Sequence, residues 1–136
     1  MFRIFRRLSS YSLINTLRFN FTVFPFHIAR DLHIKICKNV TMIGLKKGCV
    51  ILRKENTLKK RYVSEIGTTR VPMMSPKGCH TLLRFGTNSK LIIGIDNDIA
   101  SGCSIIITSN GVLELGNNIF INQNTLFTTV QQKLEK

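Results

Sequence analysis

Cysteine and histidine are the residues here with the most reactive side chains, and their spacing limits what they can do. Cys79 and His80 are the only neighbouring Cys/His pair in the chain. Together they would suggest a thiolate nucleophile with a general base beside it. In an extended segment, however, adjacent side chains point to opposite sides, so the pair is poorly placed to share a proton. Cys37, Cys49, Cys79 and Cys103 are separated by 12, 30 and 24 positions, with no CxxC pair. That spacing does not build a zinc site, and no metal is expected. Four free thiols fit a reducing cytoplasm, the expected location. His33 alternates with Leu32 and Ile34 and reads as an outward strand residue without a role. His27 sits in an apolar and basic stretch. No catalytic residue is assigned, and the cofactor-binding residues are unknown.

The other possible chemistry is electrostatic. The net charge is +13, unevenly distributed. Residues 1–62 hold fourteen Lys/Arg against Asp31 and Glu55, giving +12, while residues 63–136 hold six against five, giving +1. A basic half of this kind implies a nucleic acid, an anionic membrane surface or simply a solvated face. For nucleic acid, Lys and Arg would contact phosphates and Phe19, Phe21, Phe24 or Phe26 would stack on bases. Those aromatics serve equally well as core residues, and no RNA- or DNA-binding motif accompanies them. Nucleic acid is therefore not the favoured partner. No secretory signal and no apolar run of 18 residues is recognisable.

The element that must position any site is a repeat. Ile93, Ile99 and Ile105, then Leu115, Ile121 and Phe127, follow one another in steps of six. The step from Ile105 to Leu115 is ten, as if four residues were inserted at about Thr108–Gly111. Six matches neither the 3.6 period of an α-helix nor the 2.0 period of a strand. It fits a parallel β-helix whose flat sides are each one hexad long. Four positions after each large residue a smaller one should also point inward: Asn97, Cys103, Ser109, Ile119 and Thr125. Of these Asn97 suits the slot least. The residue after the large one should be small, as Gly94, Ala100 and Gly116 are, whereas Ile106, Asn122 and Thr128 are not. Asn117, Asn118, Asn122 and Asn124 suit corners where φ turns positive. The competing reading is antiparallel strands with a hairpin turn at Ser109-Asn110-Gly111.

Before the repeat, residues 1–24 read as a basic amphipathic segment. Phe2, Phe5, Leu8, Leu13 and Leu17 are spaced by three to five residues, with Arg3, Arg6, Arg7 and Arg18 between them. Ser9 or Ser10 would cap a helix from about Tyr11 to Phe21, ending before Pro25. Such a helix either packs on the domain or rests on an anionic membrane. Residues 32–54 alternate like short strands, 53–62 form a charged loop and 67–80 are loop-like. The predicted organisation is a helical lead-in over 1–31 and a β-helix domain over 32–136. Within that domain, 32–80 holds irregular early strands and about 91–130 holds the hexads.

These residues resemble a known family. The hexads are similar to those of hexapeptide-repeat acyltransferases, whose fold is a left-handed parallel β-helix. The lead-in Ile14-Asn15-Thr16-Leu17-Arg18-Phe19-Asn20-Phe21, then Phe24-Pro25-Phe26 and Ala29, looks like that of bacterial O-acetyltransferases from capsule and lipopolysaccharide gene clusters. The run Leu115-Gly116-Asn117-Asn118-Ile119-Phe120-Ile121-Asn122 looks like one of their coils. The resemblance implies a mainly β fold and transfer of acetyl from acetyl-CoA, as co-substrate, to a saccharide hydroxyl. It also implies a homotrimer with active sites between neighbouring subunits. Apart from the resemblance, the free thiols and the basic amphipathic N-terminus set the expected location, cytoplasmic or peripheral at the inner face of the membrane. The family carries its catalytic His in a later coil, in an Asp-x-Asp-x-His-like segment. This sequence has none, and His27, His33 and His80 all precede the hexads. Gln132-Lys133-Leu134-Glu135 looks like the approach to a further coil. The expectation is a family member truncated before the catalytic coil and inactive alone.

Overall fold

A computed structural model describes residues 12–53, 64–68 and 80–129. Among these residues two helices come first, α1 (Leu13–Val23) and α2 (Phe26–Ala29). Eleven short strands follow: β1 (Ile34–Ile36), β2 (Val40–Ile43), β3 (Val50–Leu52), β4 (Ser64–Thr68), β5 (Thr81–Phe85), β6 (Lys90–Ile93), β7 (Asp98–Ala100), β8 (Ser104–Ile107), β9 (Val112–Leu115), β10 (Phe120–Ile121) and β11 (Leu126–Thr128). They form three sheets, β1-β4-β7-β10, β2-β5-β8-β11 and β3-β6-β9. Each strand thus pairs with the third one along, and every pairing is parallel. The chain visits the three sheets in strict rotation. The strands on either side of Asn110-Gly111, β8 and β9, lie in different sheets, so no hairpin forms there.

The register explains the spacing. Ile36, Ile66, Ile99 and Ile121 stack in the first sheet. Met42, Leu83, Ile105 and Phe127 stack in the second, and Leu52, Ile93 and Leu115 in the third. The isoleucines and leucines of these stacks are buried, while Met42 and Phe127 pack against the core from partly buried positions. A one-residue slip would turn every one of them to the other face, so the aliphatic ladder specifies the register.

The stacked series begins at Ile36, well before the hexads recognised in the sequence. Ile36 to Met42 is already a six-residue step. The ten-residue step also recurs, from Met42 to Leu52 and from Leu83 to Ile93 as well as from Ile105 to Leu115. It always joins the second sheet to the third. The four extra residues are therefore a built-in corner of each of the three described coils that pass from the second sheet to the third. They also lengthen the strand before the corner, adding a second inward residue, Phe85 in β5 and Ile107 in β8, both buried. Ser109, expected inside, lies exposed on this extended corner.

Corners turn where backbone can adopt positive φ. Asn88 (55°) and Asn110 (61°) stand 22 residues apart on the extended corner. Asp96 (55°) and Asn118 (56°) share the corner into the first sheet, and Gly102 (89°) and Asn124 (61°) the corner out of it. Asn and Asp tolerate this region because their short polar side chains bond locally. Of the four asparagines singled out, Asn118 and Asn124 adopt it. Asn117 instead uses its side-chain oxygen to accept from Ile95 N–H at 3.0 Å, on the coil before. Asn97, the poor fit, is fully buried and satisfied: its Nδ2 donates to Gly116 O (2.9 Å) and its Oδ1 accepts from Ile119 N (2.9 Å). It replaces an apolar plug with two bonds between consecutive coils. Corners also pack closely: a Cβ on Gly86 would stand 2.5 Å from Ser109 N on the next coil.

The helix closes the first edge of the stack. Its N-cap is Ser12, whose hydroxyl accepts from Asn15 N–H at 3.1 Å; Ser9, Ser10 and Tyr11, like Phe2, Phe5 and Leu8, lie outside the described residues. It ends at Phe24, whose extended conformation (φ −108°, ψ 152°) is what the following Pro25 requires. The face that packs holds Thr16, Phe19, Asn20 and Val23, and Leu13 and Leu17 are exposed instead. β1 has a sheet neighbour, β4, on one side only. On its other side Asn20 acts as a surrogate strand: Nδ2 donates to Ile34 O (2.7 Å) and Oδ1 accepts from Ile34 N (3.4 Å). Thr16 does the same for Ile36, accepting from its N–H at 3.0 Å and donating to its C=O at 3.1 Å. An unpaired edge is a template for aggregation, and burying it without partners would be costly. Two polar side chains resolve both problems.

Candidate functional site

The three histidines are placed apart in the architecture. His27 is exposed on α2. His33 precedes β1 and is buried, contrary to its expected outward position, with Asp31 Oδ2 4.0 Å from its Nε2. Leu32, at φ 48°, turns the chain just before it, and that turn breaks the simple alternation on which the outward reading rested. His80 is exposed just before β5, its Nε2 in contact with the Thr41 hydroxyl across the β2–β5 pair. Cys79 lies outside the described residues, so the Cys79-His80 pair is not described. Cys37, Cys49 and Cys103 are buried. Burial pushes Cys49 and Cys103 above the ordinary thiol value, which opposes nucleophilic use. Cys103 donates to Asn122 O at 2.8 Å, filling its inward slot as a structural residue. Among the described residues no three His, Cys, Asp or Glu side chains gather as a metal site.

The basic residues gather more than the sequence implied. A cavity of about 380 Å³ opens at the extended corner between the first two coils, lined in part by Lys46, Lys47, Ser89 and Lys90. Among the described residues no acidic side chain lines it. Lys47 is committed elsewhere: its Nζ donates to Phe24 O (2.9 Å) and Phe21 O (3.2 Å), binding the carbonyl end of α1. Lys46 and Lys90 come from the same corner on consecutive coils, which the recurring ten-residue step, read as far back as Met42, would have brought together. Of the phenylalanines offered as a stacking platform, Phe19 and Phe24 are in the core. Phe21 and Phe26 are exposed and packed on each other, with ring centroids 5.9 Å apart.

No helix among the described residues is long and apolar enough to cross a membrane. Compared with known proteins, the chain matches no family model, no curated protein and no solved structure.

Proposed function

We propose that this chain supplies the helical cap and first coils of a left-handed parallel β-helix acyltransferase, one that moves acetyl from acetyl-CoA to a saccharide hydroxyl as a trimer. The observation that carries the proposal is the strict rotation of the chain through three parallel sheets, with the aliphatic stacks in register. That rotation is the architecture which the hexads and their resemblance to hexapeptide-repeat acyltransferases imply. In such a reaction a base removes the hydroxyl proton, and the oxygen attacks the thioester carbonyl. Backbone N–H groups hold the resulting oxyanion, which collapses with release of the CoA thiol. The residues of this chain serve as scaffold. His33 is buried, His80 engages Thr41 and His27 lies on the cap, and no Asp-x-Asp-x-His-like segment is present.

Purified chain is therefore expected to release no CoA thiol from acetyl-CoA in the presence of candidate saccharides. A positioned base alone contributes about 10²–10⁴ in rate, and appending later coils bearing the histidine segment from a full-length acyltransferase should restore transfer. Turnover by the chain alone that disappears in His27→Ala or His80→Ala would overturn the scaffold reading. A crystal structure with right-handed winding would overturn the family reading.

A further inference from the structure

Helix α1 buries one side against the sheet stack and leaves an apolar side uncovered. At about 100° per residue, the buried residues Thr16, Phe19, Asn20 and Val23 occupy one arc of roughly 100°. Leu13, Ile14, Leu17 and Phe21 fall within a second arc of similar width that begins about 20° beyond Asn20. Asn15, Arg18 and Thr22 fill the remaining strip. All four residues of the second arc are large, apolar and between 39% and 79% exposed. Phe26 at the start of α2 is 70% exposed and packs on Phe21, so the patch continues past the helix end. Single exposed leucines need no explanation, but five large apolar side chains on one contiguous surface indicate an interaction site.

Charge identifies the partner. From Met1 to Arg30 the sequence holds Arg3, Arg6, Arg7, Arg18 and Arg30 and no acid. Arg18 flanks the patch within α1, and Lys47 is anchored to the backbone carbonyl of Phe21. A second copy would bring the same positive charge against itself. An anionic bilayer offers what both features need, an apolar layer under a negative surface. We propose that α1 and Phe26 form an interfacial membrane anchor. Leu13, Ile14, Leu17, Phe21 and Phe26 enter the headgroup boundary, and Arg18 meets anionic headgroups, while the Thr16/Asn20 face stays locked to β1. The polar side of the helix that looks least suited to packing is thus the one that holds it in place, which frees the apolar side for the membrane.

The test is co-sedimentation of the full chain with vesicles of phosphatidylcholine alone and of phosphatidylcholine with 30% phosphatidylglycerol. Binding should be at least tenfold stronger to the anionic vesicles and should weaken with added salt. The triple variant Ile14→Gln/Leu17→Gln/Phe21→Gln removes apolar area from exposed positions only. It should lose vesicle binding at least tenfold while keeping the wild-type circular dichroism spectrum and urea midpoint. Arg18→Glu should weaken binding to anionic vesicles and leave the weak binding to neutral ones unchanged. The proposal is overturned if the chain ignores anionic vesicles at low salt, or if the triple variant binds them as well as wild type. It is also overturned if the patch drives concentration-dependent self-association, abolished by the triple variant, without vesicle binding. None of these outcomes bears on acetyl transfer, so the anchor and the proposed enzymatic role fail independently.

Discussion

Replacing Asn20 by leucine tests how the first edge of the sheet stack is closed. Leucine has nearly the same shape and a higher helix propensity but cannot bond the backbone. The substitution removes the donor to Ile34 O at 2.7 Å and the acceptor from Ile34 N at 3.4 Å. Both backbone groups belong to a fully buried residue on the edge strand. Each buried group left without a partner costs about 1–3 kcal/mol, so Asn20→Leu should lose about 2–6 kcal/mol. Thr16→Val is the internal control. It orphans the Ile36 N–H, but Ile36 O still accepts from Ser12 N at 3.1 Å. That change should cost about 1–3 kcal/mol, roughly half as much. Urea unfolding gives both values. Amide exchange supplies the local reading, with the Ile34 amide losing protection in Asn20→Leu and the Ile36 amide in Thr16→Val. The reasoning fails if Asn20→Leu lies within about 0.5 kcal/mol of wild type, the range of an unremarkable surface change. It fails equally if the Ile34 amide stays protected or if Thr16→Val proves the more costly change.

Two further outcomes follow from the corners and the core. Gly86→Ala would place a Cβ 2.5 Å from Ser109 N and 2.8 Å from Thr108 C, both backbone atoms of the next coil; a loss of about 1–3 kcal/mol in urea unfolding is expected, and an unchanged midpoint would refute the close approach of these corners. Cys49 and Cys103 have thiol pKa values raised by burial, so the folded state disfavours their thiolates. Stability should therefore be unaffected below the ordinary thiol pKa of about 8.5 and should fall as pH rises through the elevated folded values. Cys49→Ala/Cys103→Ala should remove that alkaline decline, and both thiols should resist iodoacetamide at pH 8 until urea unfolds the chain.

The sequence by itself determined the β-rich repeat and its large inward residues Ile93, Ile99, Ile105, Leu115, Ile121 and Phe127, because a six-residue period of large aliphatics admits few architectures and each coil repeats the same local demand. The resemblance in the hexads points the same way. The earlier coils were not legible as repeat. Longer connections separate Leu52 from Ile66 and Ile66 from Leu83, so the phase is lost along the chain, and only lateral pairing shows that Ile36, Met42, Leu52, Ile66 and Leu83 continue the same stacks. The recurring corner was read as one insertion for the same reason. The helix is the clearest case of a decision made by tertiary structure. Its sequence carries an apolar arc that ordinary amphipathic logic would bury, yet Thr16 and Asn20 face inward. The backbone groups of Ile34 and Ile36 that they satisfy become a free edge only once the sheet exists. The gain from pairing them, together with burial of Phe19 and Val23, outweighs the gain from covering Leu13, Ile14 and Leu17. Local periodicity can name the residues that repeat, but which face of a neighbouring element they recruit depends on unsatisfied groups that appear only after folding.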